Sequence, residues 1–369
     1  MLFFFRSIII QIFLNAYIIY RIRKSGYFSK FWKRILIAIY IAEVLLYFTG
    51  LFFTNLLPVE TAGIIHKSCG IWTVSQIYLA GVIWLFDLLP FIIKRRFSRF
   101  CKIVCFISMC VLIGIGLLLG YHNFTHPVVK NHSFVFGSDG VTNATEQTEY
   151  KILVASDFHL GYIIDAKMLK KYVNLINAQH PDIVVITGDL VDWDLRPLIE
   201  SNMQEELKNI RAGKGVFFVP GNHEYKLDAE ATLNWIVQSG MTILKDSIVN
   251  IDDKLWLIGR DDEENDERQS PADLMKDFDT SKPCIMFVHR PSGIKDVAEY
   301  NIPLIISGHT HSGQIFPVNL FIGLFYTNPY GWMKKNDCHS YTTSGLGLSG
   351  FPLRIGSHCE AVVFDIRIY

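Results

Sequence analysis

The chain has 369 residues, half of them hydrophobic, with 35 basic and 35 acidic side chains and a formal charge of zero. That zero conceals a split: residues 1–120 hold 13 Lys and Arg against three Asp and Glu, so the remainder is acidic by ten. An acidic C-terminal part disfavours nucleic-acid binding, which uses basic faces, and the asymmetry suggests two parts in different surroundings. None of the seven cysteines has metal-ligand spacing, and no spacing rule pairs Cys338 with Cys359.

Four apolar runs come first, at 2–20, 35–53, 71–93 and 103–121. Each approaches the ~20 residues that a helix needs to cross the hydrocarbon core. Arg6, Gln11 and Asn15 interrupt the first run; Ser7, Gln11 and Asn15 share one helical face, as suits packing against other helices. The rival reading of that run is a cleaved signal peptide. No basic start precedes it and no small-x-small pattern follows it, so a retained helix is expected. Six basic residues lie between Arg21 and Arg34 and five between Lys94 and Lys102, whereas loop 54–70 holds only Lys67 and Glu60. The positive-inside rule then places the first and third loops in the cytoplasm and everything after the fourth run outside it. Glu43 and Asp87 lie within expected spans; Glu43 suits an interhelical partner, while Asp87 can reach the interface or Lys94.

Residues 122–149 are polar and small, without helical or strand period, and read as a linker. They contain sequons at Asn123, Asn131 and Asn143, which are glycan acceptors only in a eukaryotic secretory protein.

From residue 150 the pattern turns βα. Strands are expected at 151–155, 183–187, 216–219, 255–259, 284–288, 304–307 and 361–368, the last alternating like an edge or second-sheet strand. Helices are expected at 166–178, 200–212 and 230–239. Five strands each end in a polar word: Asp157-Phe158-His159, Gly188-Asp189, Gly221-Asn222-His223-Glu224, His289, and Gly308-His309-Thr310-His311. In an open α/β sheet the loops beyond the strands' carboxyl ends converge on one crevice. Oxygen and imidazole donors without thiolate suit hard and borderline divalent metals. Their number exceeds the four of a single tetrahedral site and is enough for two ions sharing a carboxylate. Residues 261–267 hold six acids, read as a solvated loop whose Asp262 is placed to support the site's wall.

These ordered words resemble the calcineurin-like metallophosphoesterase family over residues 150–369. The tail 345–354 (GLGLSGFPLR) is similar to its membrane-linked phosphodiesterase branch and to transmembrane proteins carrying the same domain. The resemblance implies two facing mixed β-sheets flanked by helices. It implies Asp157, His159, Asp189 and His311 around one metal, and Asp189, Asn222, His289 and His309 around the other. Asp189 would bridge, a metal-bridging hydroxide would attack phosphorus, and His223 would be the catalytic acid, oriented by Asp192. One departure stands out: phosphoprotein phosphatases of the family carry Arg where this chain has Trp193. That weakens a protein phosphatase reading and leaves room for an apolar or nucleotide-like group, unless Trp193 merely packs the loop.

The expected architecture is therefore an N-terminal multi-span helical membrane region (1–121), a linker (122–149) and an α/β metallophosphoesterase domain (150–369). The expected function is a two-metal phosphoesterase, using Mn, Fe or Zn, held in a lipid bilayer with its domain outside the cytoplasm. Phosphodiesters, including lipid-linked ones, are the favoured substrates. The rivals are a cell-surface phosphomonoesterase or nucleotide phosphatase, and a membrane sensor whose domain binds without cleaving.

Overall fold

A computed structural model describes residues 2–93, 98–137, 147–294, 300 and 302–369. The sequon at Asn143 and the basic residues Lys94, Arg95 and Arg96 lie outside them. The chain divides into two compact units, one of residues 1–120 with 350–352, the other of residues 121–349 with 353–369.

In the first unit all four apolar runs are helical: α1 (Leu2–Lys24), α2 (Lys30–Phe52), α3 (Val59–Ile93) and α4 (Arg99–Thr125). Among the described residues, three helices are long and apolar enough to cross a membrane: Lys30–Phe52, Val59–Leu88 and Arg99–Thr125. The first run, 2–20, forms most of helix α1 beside them. The expected loop 54–70 is helical from Val59, just past Pro58, with Glu60 in the first turn where the helix dipole favours an acid. Gln11 and Asn15 are buried against α3: Gln11 donates to Thr73, and Gln76 donates to Asn15 at 2.9 Å. Asp87 pairs with Arg21 at 2.7 Å. The carboxylate of Glu43 is buried and makes no hydrogen bond among the described residues, against the expectation of an interhelical partner.

The second unit is built on two six-stranded mixed sheets. The first contains β1 (Val128–Phe136), β2 (Thr148–Ala155), β3 (Ile183–Thr187), β4 (Val216–Val219), β5 (Thr242–Ile243) and β12 (Glu360–Ile368), in the order β1-β12-β2-β3-β4-β5. The second contains β6 (Ser247–Ile251), β7 (Leu255–Arg260), β8 (Cys284–Val288), β9 (Leu304–Ser307), β10 (Gly331–Lys335) and β11 (Cys338–Thr342), in the order β10-β11-β9-β8-β7-β6. Strand alternation divides the apolar runs between layers. Ile152, Val154, Ile183 and Val185 face the second sheet, where Ile285, Phe287, Leu304 and Ile306 meet them. Leu153, Ala155, Val184 and Ile186 face outward. They lie under helices α5 (Ala166–Asn177) and α8 (Ala229–Gln238), so these strands are buried on both faces and read as continuous apolar runs.

Three expectations change. The segment read as linker contains β1, which runs parallel to β12 along the sheet edge. Its burial alternates while its sequence, VVKNHSFVF, mixes polar and apolar residues on the inner face, which hides the strand period. β12 is consequently interior, not an edge. The single helix expected at 200–212 is two short ones, α6 (Arg196–Glu200) and α7 (Met203–Leu207), broken where Asn202 takes a left-handed φ of 50°. Cys338 and Cys359 are buried free thiols in different core clusters.

Candidate metal centre

The five polar words begin at the carboxyl ends of β2, β3, β4, β8 and β9, where the two sheets present their parallel strands side by side. Main-chain bonds lace the loops together: Asp157 N donates to Gly188 O at 3.0 Å, His159 N to Asp189 O at 2.9 Å, and Gly308 N to His289 O at 2.9 Å. Asp157, His159, Asp189, His309 and His311 all have positive φ, between 48° and 72°. Such conformations are costly for residues with a Cβ and concentrate at functional sites. The glycines between them allow the approach. A Cβ on Gly308 would lie 2.0 Å from Ser156 Oγ, and one on Gly188, itself at φ +82°, would lie 2.4 Å from His289 Nδ1.

Besides a group of His159, Asp192 and His223, two clusters result. In one, His159 Nε2 lies 3.9 Å from Asp157 Oδ1 and 3.6 Å from Asp189 Oδ2, His311 Nε2 lies 3.5 Å from Asp157 Oδ1, and the two ring nitrogens are 3.2 Å apart. In the other, His289 Nε2 lies 3.2 Å from Asp189 Oδ2 and 3.1 Å from His309 Nδ1. Asp189 Oδ2 thus belongs to both. Asp157 Oδ1 and Asn222 Oδ1 are buried without a hydrogen-bond partner.

The electrostatics asks for positive charge. Burial pushes the Asp189 carboxyl up, but His289, His223 and His159 outweigh it and hold Asp189 well below the usual carboxylate range. Burial lowers His289, yet Asp189 and Asp157 raise it to about 10. Burial and the charge of His289 lower His309 to about 2, which keeps its ring neutral. Orphaned carboxyl and amide oxygens, crowded ring nitrogens and a proton held on His289 all fit a pair of divalent cations.

Neighbouring groups fix these donors. His289 Nδ1 is 2.8 Å from Thr187 O and His309 Nε2 is 3.0 Å from Tyr326 Oη, which set the ring orientations. Glu224 accepts from the N–H groups of Asp189, Leu190, Val191 and Gly221 at 2.8–3.2 Å. Burial and Asp189 push its carboxyl up to about 7, while the backbone donors favour the charged form. Arg354, fully buried, donates to the carbonyls of His311 and Ser344 at 2.7 Å and to that of Gly347, and its Nη2 lies 3.2 Å from His311 Nδ1. The structural roles of Glu224, Tyr326 and Arg354 escaped the sequence reading. Glu224 was visible only as the last letter of its word, and Tyr326 carried no motif at all.

His223 stands beside both clusters. Its N–H donates to Asp189 Oδ1 at 2.9 Å and its Nδ1 donates to the main-chain carbonyl of Asp192 at 2.9 Å. The Asp192 carboxylate is 3.5 Å from that nitrogen and closer, 3.2 Å, to His159 Nδ1. Asp192 therefore holds His223 chiefly through its backbone and His159 through its side chain. Asp261 and Asp262 are buried, unlike the rest of the acidic run: Tyr225 donates to Asp261, and Asp262 pairs with Arg290 at 3.1 Å.

Residues 150–313 match the calcineurin-like phosphoesterase family. A metallophosphoesterase of Helicobacter pylori is 35% identical over 212 residues, 56% of each chain. One from Aquifex aeolicus is 30% identical over 60% of this chain and 86% of its own. A Danio rerio protein named transmembrane protein with metallophosphoesterase domain is 31% identical over 57% of this chain and 51% of its own. With this fold and these ordered words, the chain belongs to the calcineurin-like metallophosphoesterase family. It spans only about half the length of the first relatives it matches.

Proposed function

We propose that the protein is a membrane-held, two-metal phosphoesterase acting on phosphodiesters, with lipid-linked phosphoesters as its substrate class. The observation that carries the reading is the sharing of Asp189 Oδ2 between two ligand clusters, beside a His223 whose Nδ1 is taken by the Asp192 carbonyl. Asp157, His159, Asp189 and His311 would hold one cation; Asp189, Asn222, His289 and His309 would hold the other. Bound divalent cations would supply Lewis acidity and a nucleophilic water at neutral pH. His223 would pass a proton to the leaving oxygen, held by the Asp192 carbonyl on its far nitrogen. The ammonium of Lys226, over the Trp193 ring at 4.9 Å, would steady the substrate's phosphate.

Three long apolar helices support membrane insertion, and eleven basic residues in two short segments support a catalytic unit outside the cytoplasm. Membrane tethering favours lipid-linked esters, and Trp193 in place of a guanidinium argues against phosphoproteins.

The test is hydrolysis by the purified full chain with Mn²⁺ of matched aryl mono- and diesters, then a lipid-phosphate panel. Metal-dependent turnover at least tenfold better on diesters supports the reading. Better turnover of monoesters would favour a phosphomonoesterase. No metal-dependent turnover, with metal still bound, would leave a sensor whose domain binds without cleaving.

A further inference from the structure

Residues 312–333, immediately after His311, contain no charged side chain. Within them Phe316, Val318, Leu320, Phe321, Leu324 and Phe325 are all exposed, Leu324 and Phe325 by 79% and 76%. So many exposed apolar side chains in one short segment mark an interaction site rather than ordinary scatter. It is also built. Phe316 N donates to Ile355 O at 2.8 Å, Asn319 Nδ2 to Gly356 O at 3.2 Å, and Thr310 Oγ1 to Pro329 O at 2.7 Å. The segment is therefore pinned at its start, middle and end while its apolar side chains point away.

The patch is joined to the metal centre at both ends. His311 precedes it, and Tyr326, the residue after Phe325, places its hydroxyl 3.0 Å from His309 Nε2. Whatever the patch touches lies one side chain from the candidate ligands.

The chain's own connectivity indicates what that is. Helix α4, apolar enough to cross a membrane, ends at Thr125, and β1 of the catalytic unit begins at Val128. Two intervening residues span at most about 10 Å. A bilayer holding α4 is thus always present at high effective concentration, and a shallow apolar patch suffices to dock on it. Phe and Leu side chains without charge suit the boundary between headgroups and acyl chains. We propose that residues 316–325 insert into the lipid surface and hold the metal centre at headgroup depth, so that the phosphoester of a bilayer lipid enters laterally with its acyl chains still in the membrane. This rests on the reading of the chain as a membrane-held phosphoesterase of lipid-linked esters, and deepens it.

The test uses the full chain in nanodiscs of phosphatidylcholine and phosphatidylglycerol. A nitroxide is placed at Leu324→Cys after Cys101, Cys105 and Cys110 are changed to Ser. The label should be more accessible to oxygen than to a water-soluble nickel chelate. The double variant L324D/F325D should lose at least tenfold in turnover of a long-chain lipid phosphodiester. Its rate on a soluble aryl diester should stay within twofold, which also shows that it folds. A label open to the chelate would overturn the proposal, as would spin–spin broadening that shows a second copy covering the patch. A buried label in a chain that cleaves soluble diesters but no bilayer lipid would keep the docking surface and remove the lipid-linked substrate.

Discussion

The Lys226 ammonium stands 4.9 Å from the centre of the Trp193 ring, and that ring packs at 4.7 Å against the ring of His223. By the resemblance in sequence, Trp193 would stand where phosphoprotein phosphatases of the family carry a guanidinium. The positive charge is thus displaced to another loop, and the indole becomes its platform. Unlike Arg, Lys grips as a point charge without a bidentate fork. Lys226→Met should raise KM for an aryl diester roughly tenfold with kcat little changed, the equivalent of about 1.4 kcal/mol of binding. The difference from the parent chain should shrink in high salt, since Lys226 keeps one side in water. An unchanged KM would remove it from substrate binding.

The same residue gives a pH dependence. Burial lowers the Lys226 pKa below its ordinary 10.5, opposed by the attraction of Asp189. A lowered pKa means that the charged form is lost sooner as pH rises. KM should therefore begin to climb on the alkaline side before an ordinary lysine would titrate. Lys226→Arg, which stays charged, should flatten that climb. KM profiles of the two proteins decide it, and superimposable profiles would show that another group titrates.

Asp189 is the residue on which both clusters depend. Asp189→Asn should lower bound metal below two per chain and abolish most activity, measured by elemental analysis alongside turnover. Near-normal stoichiometry and turnover would mean that a different group bridges.

Arg354 tests the support behind His311. Removing a fully buried guanidinium leaves the carbonyls of His311, Ser344 and Gly347 without their donor. Arg354→Met should destabilise the catalytic unit by about 1–3 kcal/mol for each carbonyl left unpaired, read from denaturant midpoints of the metal-free chain. A loss below about 1 kcal/mol would show that water replaces the donor.

The unequal legibility of this chain has physical causes. β2, β3, β4, β8 and β9 were readable because both of their faces are buried, so each is a short apolar run stopped by a polar turn. β1 was not, because its inner face carries Lys130 and His132 beside Phe134 and Phe136. Six of the seven candidate ligands were conspicuous as Asp or His in polar words that end apolar runs. Arg354 was not, since nothing local in its sequence says that its side chain reaches back to the loop after β9. Trp193 was visible as a departure, but its partner Lys226 lies 33 positions away in another turn, and only the fold brings them together.

Topology is checked by labelling intact cells. Tags at the C-terminus should be reachable from outside, and cysteine labels near residues 28 and 98 should react only after permeabilisation. The basis is the six and five basic residues of the two short flanking segments. A C-terminus reached only after permeabilisation would invert the orientation.

His223 separates catalysis from binding. Its main-chain N–H is tied to Asp189 Oδ1 and its Nδ1 to the Asp192 carbonyl, so the ring is held beside the clusters. Nδ1 is committed to that carbonyl, which leaves Nε2 as the nitrogen that exchanges a proton with the substrate. Burial and the charge of His159 lower the ring's pKa to about 4, so its charged form needs the nearby Asp192 carboxylate and the substrate's own anionic phosphate. A proton donor of this kind contributes roughly 10²–10⁴-fold to the chemical step. His223→Ala and His223→Asn should keep metal content nearly intact while lowering kcat at least about a hundredfold on alkyl diesters, whose leaving oxygen must be protonated. The loss should be smaller on a nitrophenyl ester, whose leaving oxygen departs as the anion. Equal losses on both would assign His223 to charge stabilisation. No loss on either would remove it from the mechanism and return the domain to a binding role.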